Sequence, residues 1–183
     1  MSPSDYDSSE KYRKLVRSAY QWVTFATVFK RAADKIKGYI VVTTPRTNID
    51  PYCAFVYMFL IGQALENLLK GLIVAADEKC VVYNEKKHDY MLNGKVGHHH
   101  LHKLAERVEN EFKQYNLKFD ETEYELLERL SDYVGGKGRY PAPLKSKPMF
   151  AERLLKGTDS ATIASLWGRM LEVLNSVVEE QGD

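Results

Sequence analysis

The stretch from Tyr52 to Ala76 restricts this chain more than any other. It carries only four strongly polar side chains, Gln63, Glu66, Asn67 and Lys70. They are spaced i, i+3, i+4, i+7, so on a helix they form one narrow stripe. A helix that is apolar on every other side has to be packed on most of its surface, which predicts the central helix of an all-α bundle. The stripe must then meet polar partners or line a water-filled cleft, because a lone buried charge is costly. A membrane span is the competing reading. The longest unbroken apolar run, Tyr52 to Gly62, is too short for one, and Glu66 and Lys70 would sit inside the bilayer. We therefore expect a soluble core helix and no membrane partner.

A chain of 183 residues with 44% hydrophobic and 28% charged residues fits one ordinary globular domain. We place it at residues 9–180, with a polar, acidic and disordered N-terminus over residues 1–8. The net charge of +1 argues against a generally basic nucleic-acid coat and leaves room for a local basic patch. Cys53 and Cys80 give no disulfide framework, and Cys53 reads as a small buried hydrophobe. With no signal-peptide pattern at the N-terminus, the expected compartment is the cytoplasm.

Along the chain, the periodicity of Tyr12, Leu15, Val16, Ala19, Val23 and Ala26 predicts a first helix from about Ser9 to Lys37, stopped by Gly38. Tyr39 to Thr44 is β-branched but has no partner strand. Pro45, Asn48 and Asp50-Pro51 mark a loop, with Asp50 placed to cap the central helix and Pro51 at its first position. Asp77 to Gly97 reads as a long polar loop, with a turn at Asn93-Gly94. Leu101, Leu104, Ala105, Val108 and Phe112 form the stripe of another helix. Asp120 and Glu123 form a capping box that opens the next, which Gly135-Gly136 ends. A loop rich in Gly, Pro and Lys follows, from Lys137 to Pro148, then a short helix from Met149 to Lys156. A last helix, capped by Thr158 or Asp159, carries Ile163, Leu166, Trp167, Met170, Leu174, Val177 and Val178. The aromatics Trp22, Phe25, Phe29 and Tyr39 exceed what one core face needs, which predicts an exposed patch suited to dimerisation.

Three features could carry chemistry. Glu66 and Lys70 either line a cleft or form a simple i, i+4 ion pair at the bundle's edge. His98, His99, His100 and His102 crowd one helix start. His98 and His102 are four apart and could share a metal, but no further ligand motif accompanies them, and a solvated helix start is the plainer reading. We expect no metal and no other cofactor. The third feature is Gly135-Gly136-Lys137-Gly138-Arg139-Tyr140-Pro141. Its glycines allow close backbone approach to an anion, and Arg139 offers a fork that suits phosphate. Lys137 to Lys156 holds six basic and one acidic residue, a net of +5. No Walker loop and no Gly-x-Ser-x-Gly elbow occurs.

Taken in order, these features resemble the HEPN family (higher eukaryotes and prokaryotes nucleotide-binding). Glu66-x-x-Leu69-Lys70 is similar to its Glu-x-x-Leu-Lys signature, His99-x-Leu101-x-x-Leu104 to its His-x-Leu-x-x-Leu helix start, and Gly138-Arg139-Tyr140-Pro141 to an Arg-Tyr-Pro segment of some members. The match spans about residues 10–178. The resemblance implies an up-and-down bundle of four to five main helices, usually a homodimer, with a nucleotide or a nucleotidyltransferase as partner. It also implies toxin–antitoxin or defence systems, in which many members are metal-independent ribonucleases carrying Arg-x4-6-His. None of the nine arginines here has a His at that distance. Lys95 has the spacing to His100 and His102 but lacks the guanidinium fork.

The leading expectation is a non-catalytic module that binds a nucleotide or RNA segment through Glu66, Lys70, His99, Arg139 and Tyr140. The alternatives are an RNA-cleaving enzyme using His99, His102 and Lys95 in acid–base roles, and a structural dimerisation bundle.

Overall fold

The computed structural model describes residues 11, 13–43, 51–137 and 156–182. The fold is mostly helical. Its main helices are α1 (Ala19–Thr43), α2 (Pro51–Ala76), α3 (Leu101–Glu111), α4 (Glu121–Asp132) and α5 (Asp159–Gly182). Between α2 and α3 lies an antiparallel hairpin of β1 (Val81–Asn84) and β2 (Asp89–Leu92).

The helix α2 is the axis of the bundle and packs against α1, α3, α4 and α5. Tyr57, Met58, Ile61, Leu65, Leu68, Leu69, Leu72 and Ile73 are all buried, although they point in several directions around it. Two glycines let neighbours come close. A Cβ on Gly71 would lie 3.1 Å from the Cβ of Trp22 on α1. A Cβ on Gly62 would lie 2.5 Å from Cγ2 of Val134, just past α4, which no real side chain tolerates. Ala26 and Ala33, two turns apart on α1, are fully buried. By length and mean hydropathy Cys53–Ala76 could cross a membrane, yet 72% of its most apolar window is buried inside the fold.

The first helix is helical at Lys11 and residues 13–17, as expected, but is interrupted and ends later than expected. It breaks at Ser18, whose carbonyl accepts from Gln21 N–H (3.0 Å) and Trp22 N–H (3.4 Å), and the Trp22 indole N–H donates to Val16 O (2.8 Å). It also runs through Gly38 to Thr43. A mid-helix glycine costs only about 1 kcal/mol, and the ongoing hydrogen-bond ladder outweighs that. Trp22 packs against the core and Phe29 is partly buried, while Phe25 is 59% exposed, with Tyr20 and Val28 also exposed on the same helix; the side chain of Tyr39 lies outside the described residues.

The expected loop from Asp77 to Gly97 contains the hairpin, two short strands in an otherwise helical fold. Val81 pairs with Leu92, and both point into the core. Tyr83 stacks edge-on against Tyr90 at 5.1 Å, and His88, at φ 51°, closes the turn. Each strand has four residues, too few for a period-2 pattern to stand out. The Asn93-Gly94 turn forms where expected: Asn93 O accepts from Val96 N–H (2.9 Å) and Gly97 N–H (2.7 Å).

The capping box forms in both directions. Asp120 Oδ1 accepts from Glu123 N–H (2.9 Å), and Glu123 Oε2 accepts from Asp120 N–H (3.0 Å). Gly135-Gly136 does not end α4. The winding widens instead into a π-helical turn, Tyr133–Lys137. The termini of the bundle (residues 1–8), Asp50 with the surrounding loop, Arg139, Tyr140 and most of the expected short helix at Met149–Lys156 lie outside the described residues.

Candidate functional site

On α2, Glu66 and Lys70 stand one turn apart on the polar stripe, and Lys70 Nζ donates to Glu66 Oε1 at 2.5 Å. The pair is not at the edge of the bundle: Glu66 is 4% exposed and Lys70 5%. A buried pair of this kind needs further hydrogen bonds to offset its desolvation. Glu66 finds one in His99, whose Nδ1 lies 3.0 Å from Oε1 and 3.1 Å from Oε2. Both carboxylate oxygens are therefore engaged. The His99 side chain is 38% exposed, and its Nε2 has no hydrogen-bond partner among the described residues. A buried carboxylate thus holds one face of an imidazole whose other nitrogen faces outward from the pair.

Local structure sets His99 in place. The Asn93 turn brings the chain back to the bundle, and His99 and His100 lead into α3. The first N–H of that helix, on Leu101, donates to Ser131 Oγ at 2.8 Å, and the Ser131 hydroxyl donates to Leu127 O at 2.7 Å. This one buried hydroxyl ties the start of α3 to the end of α4. The π-turn passes alongside: a Cβ on Gly135 would lie 3.9 Å from the Cβ of His99. The close approach of Gly62 to Val134 holds the same turn against α2.

The rest of the stripe is polar and partly buried. Asn67 Nδ2 donates to Gln63 O at 2.7 Å. The Gln63 side-chain nitrogen is buried with no partner among the described residues. A donor in that position costs free energy unless something accepts from it.

The remaining histidines form a row. His98 Nδ1 accepts from His100 N–H at 3.2 Å. The rings of His98 and His100 are 5.4 Å apart, and those of His100 and His102 are 5.9 Å apart. Burial lowers the proton affinity of His98, and His100, Lys70 and Lys103 lower it further, against a smaller opposing pull from Glu66. His102 Nδ1 is buried with no partner among the described residues. Among the described residues, no three His, Cys, Asp or Glu side chains converge where they could hold a metal ion.

Of the residues expected from sequence, the structure brings together Glu66, Lys70 and His99, and sets His98 within electrostatic reach of the pair. No contact joins Lys95 or His102 to them. Lys95 is exposed on the Asn93 turn, where its N–H donates to Asn93 Oδ1. Arg139 and Tyr140 lie outside the described residues. Sequence reasoning missed Ser131. Its position one turn after Leu127, beside Leu130 and Val134, put a hydroxyl on an apolar stripe, and that was the available signal.

No known protein family, curated protein or solved structure matches this chain.

Proposed function

We propose that this chain is a HEPN-like helical module that binds a phosphate-bearing ligand, a nucleotide or a segment of RNA, at the Glu66–Lys70–His99 face. One observation supports this above others. A buried ion pair on the central helix holds a partly exposed imidazole, and the turn leading into the basic Gly138–Lys147 segment passes beside it. Lys70 balances Glu66, so cations arriving from that segment are in excess and favour an anion. In this reading Arg139 and Tyr140 complete the site, Arg139 as a phosphate fork. A nucleotidyltransferase is the protein partner to look for, in a toxin–antitoxin or defence setting. The exposed Tyr20, Phe25 and Val28 on α1 are the surface for a homodimer.

The test is nucleotide and RNA binding by the parent protein, Arg139→Ala and Glu66→Ala, at low and high salt. Arg139→Ala weakens binding about tenfold, the worth of one charge-assisted contact, with little change in melting. Added salt weakens binding by the parent. If the parent binds neither ligand and both substitutions lower the melting temperature alike, the chain is a structural bundle instead.

The carboxylate-held imidazole also favours a second reading, metal-independent RNA cleavage with His99 as the proton-transfer group. RNA cleavage in EDTA that His99→Ala abolishes would establish it, and intact RNA would exclude it.

A further inference from the structure

We propose that His99 is a phosphoryl-acceptor site, taking a phosphoryl group onto Nε2 from an acyl phosphate or phosphoramidate donor. The proposal goes beyond ligand binding and holds whether or not a nucleotide occupies the same face.

The argument starts from tautomers. A carboxylate only accepts hydrogen bonds, so the neutral His99 ring carries its proton on Nδ1, facing Glu66 at 3.0 and 3.1 Å. Its lone pair is then on Nε2, which has no partner among the described residues, on a side chain 38% exposed. His98 is arranged the other way. Its Nδ1 accepts from His100 N–H, so when neutral it carries the proton on Nε2 and has no outward lone pair to offer. Neighbouring imidazoles in one short run are thus prepared for opposite roles.

The step balances without an added proton carrier. The Nε2 lone pair attacks phosphorus, and the bond from phosphorus to the donor's leaving atom breaks: the acyl oxygen of an acyl phosphate leaves as carboxylate, or the already protonated nitrogen of phosphoramidate leaves as ammonia, each with that electron pair. An N–P bond has formed and Nδ1 has kept its proton, so the ring now bears a positive charge. Glu66 lies against that charge, and Lys70 holds Glu66 through Oε1 at 2.5 Å. The stabilisation appears as the ring becomes cationic, so it lowers the barrier as well as favouring the product. The surroundings suit the group delivered. The helix α3 starts two residues later with no acidic side chain in its first turn, and the exposed Lys103 lies on that turn. Both favour phosphoryl oxygens over any other charge.

The experiment uses potassium phosphoramidate as the probe at neutral pH, with sites mapped by mass spectrometry in alkali, where phosphohistidine survives. The exposed His88, in the hairpin turn of the same chain, is the internal reference. His99 is expected to label about tenfold faster than His88, a ratio that one charge-assisted hydrogen bond can supply. The label should be acid-labile, absent in His99→Gln and retained in His98→Gln. In Glu66→Gln the His99 rate should fall towards that of His88, with circular dichroism confirming the fold. If that variant does not fold, the ratio of His99 to His88 in the parent decides alone. Labelling of His99 no faster than His88, or labelling first at His98 or His100, would overturn the proposal, as would an unchanged His99 rate in folded Glu66→Gln.

Discussion

Glu66 and Asp159 are both almost wholly buried carboxylates, each beside a basic side chain, and they are built for different ends. Asp159 receives Arg129 in a bidentate grip, Nη1 to Oδ2 at 3.0 Å and Nη2 to Oδ1 at 2.6 Å, and Oδ2 also accepts Lys156 N–H at 2.7 Å. These donors are a guanidinium and a main-chain amide, neither of which serves as an acid or base near neutral pH. The cluster joins α4 to the first residue of α5, and Arg129 is only 11% exposed. Glu66 receives an ammonium on Oε1 and an imidazole nitrogen within reach of both oxygens. The imidazole belongs to the chain just before a helix, is partly exposed, and can carry or release a proton. Burial of a carboxylate therefore says little about its role. What distinguishes a lock from a site is whether the last partner is chemically inert and enclosed, or titratable and within reach of solvent.

The sharpest way to break this comparison is to remove each carboxylate. Asp159→Ala should cost about 3–5 kcal/mol, because it removes a buried carboxylate that accepts two bonds from Arg129 and one from Lys156 N–H. Glu66→Ala should cost less, about 2 kcal/mol, because the flexible stem of Lys70 can carry its ammonium towards water. Urea denaturation of the two variants measures both. Equal losses would mean that the Glu66 cluster is as much a structural lock as the other.

A smaller effect tests what holds His99 in place. Ser131→Ala leaves the Leu101 N–H without its acceptor and should cost about 1 kcal/mol, like the loss of a helix cap. It should also lower the His99-to-His88 labelling ratio while the fold persists. A stability loss with the ratio unchanged would show that His99 is positioned by Glu66 alone.

The smallest effect concerns acid. The proton affinity of His98 is lowered in the folded chain from its ordinary value of 6.5. Between that value and the depressed folded one, the unfolded chain binds a proton that the folded chain resists, so stability falls as pH drops through this window. His98→Gln should flatten that limb, by at most about 1 °C in melting temperature given solvent screening. Among the described residues, no histidine touches the Asp159 lock. A steeper acid limb in His98→Gln would mean that the sign is wrong.

Much of the fold was legible because the signals are local. The apolar run and polar stripe of α2, the Asp120–Glu123 box and the Asn93 turn each depend on residues within a few positions of one another, where hydrogen bonds and helical periodicity act directly. The start of α1 at Ser18 and the π-turn after α4 were not legible, because packing of Trp22 and the close approach at Gly62 override propensity there. For the site, spacing and resemblance named Glu66, Lys70 and His99 and left open whether the pair sat at an edge or inside. Tertiary structure decided that it is buried. It also decided that a histidine 33 residues away meets the carboxylate through Nδ1 rather than Nε2. The reason is geometric. Which nitrogen faces Glu66 depends on how the start of α3 docks against α4 through Ser131, 30 residues from Leu101, and no short-range pattern in the chain encodes that docking.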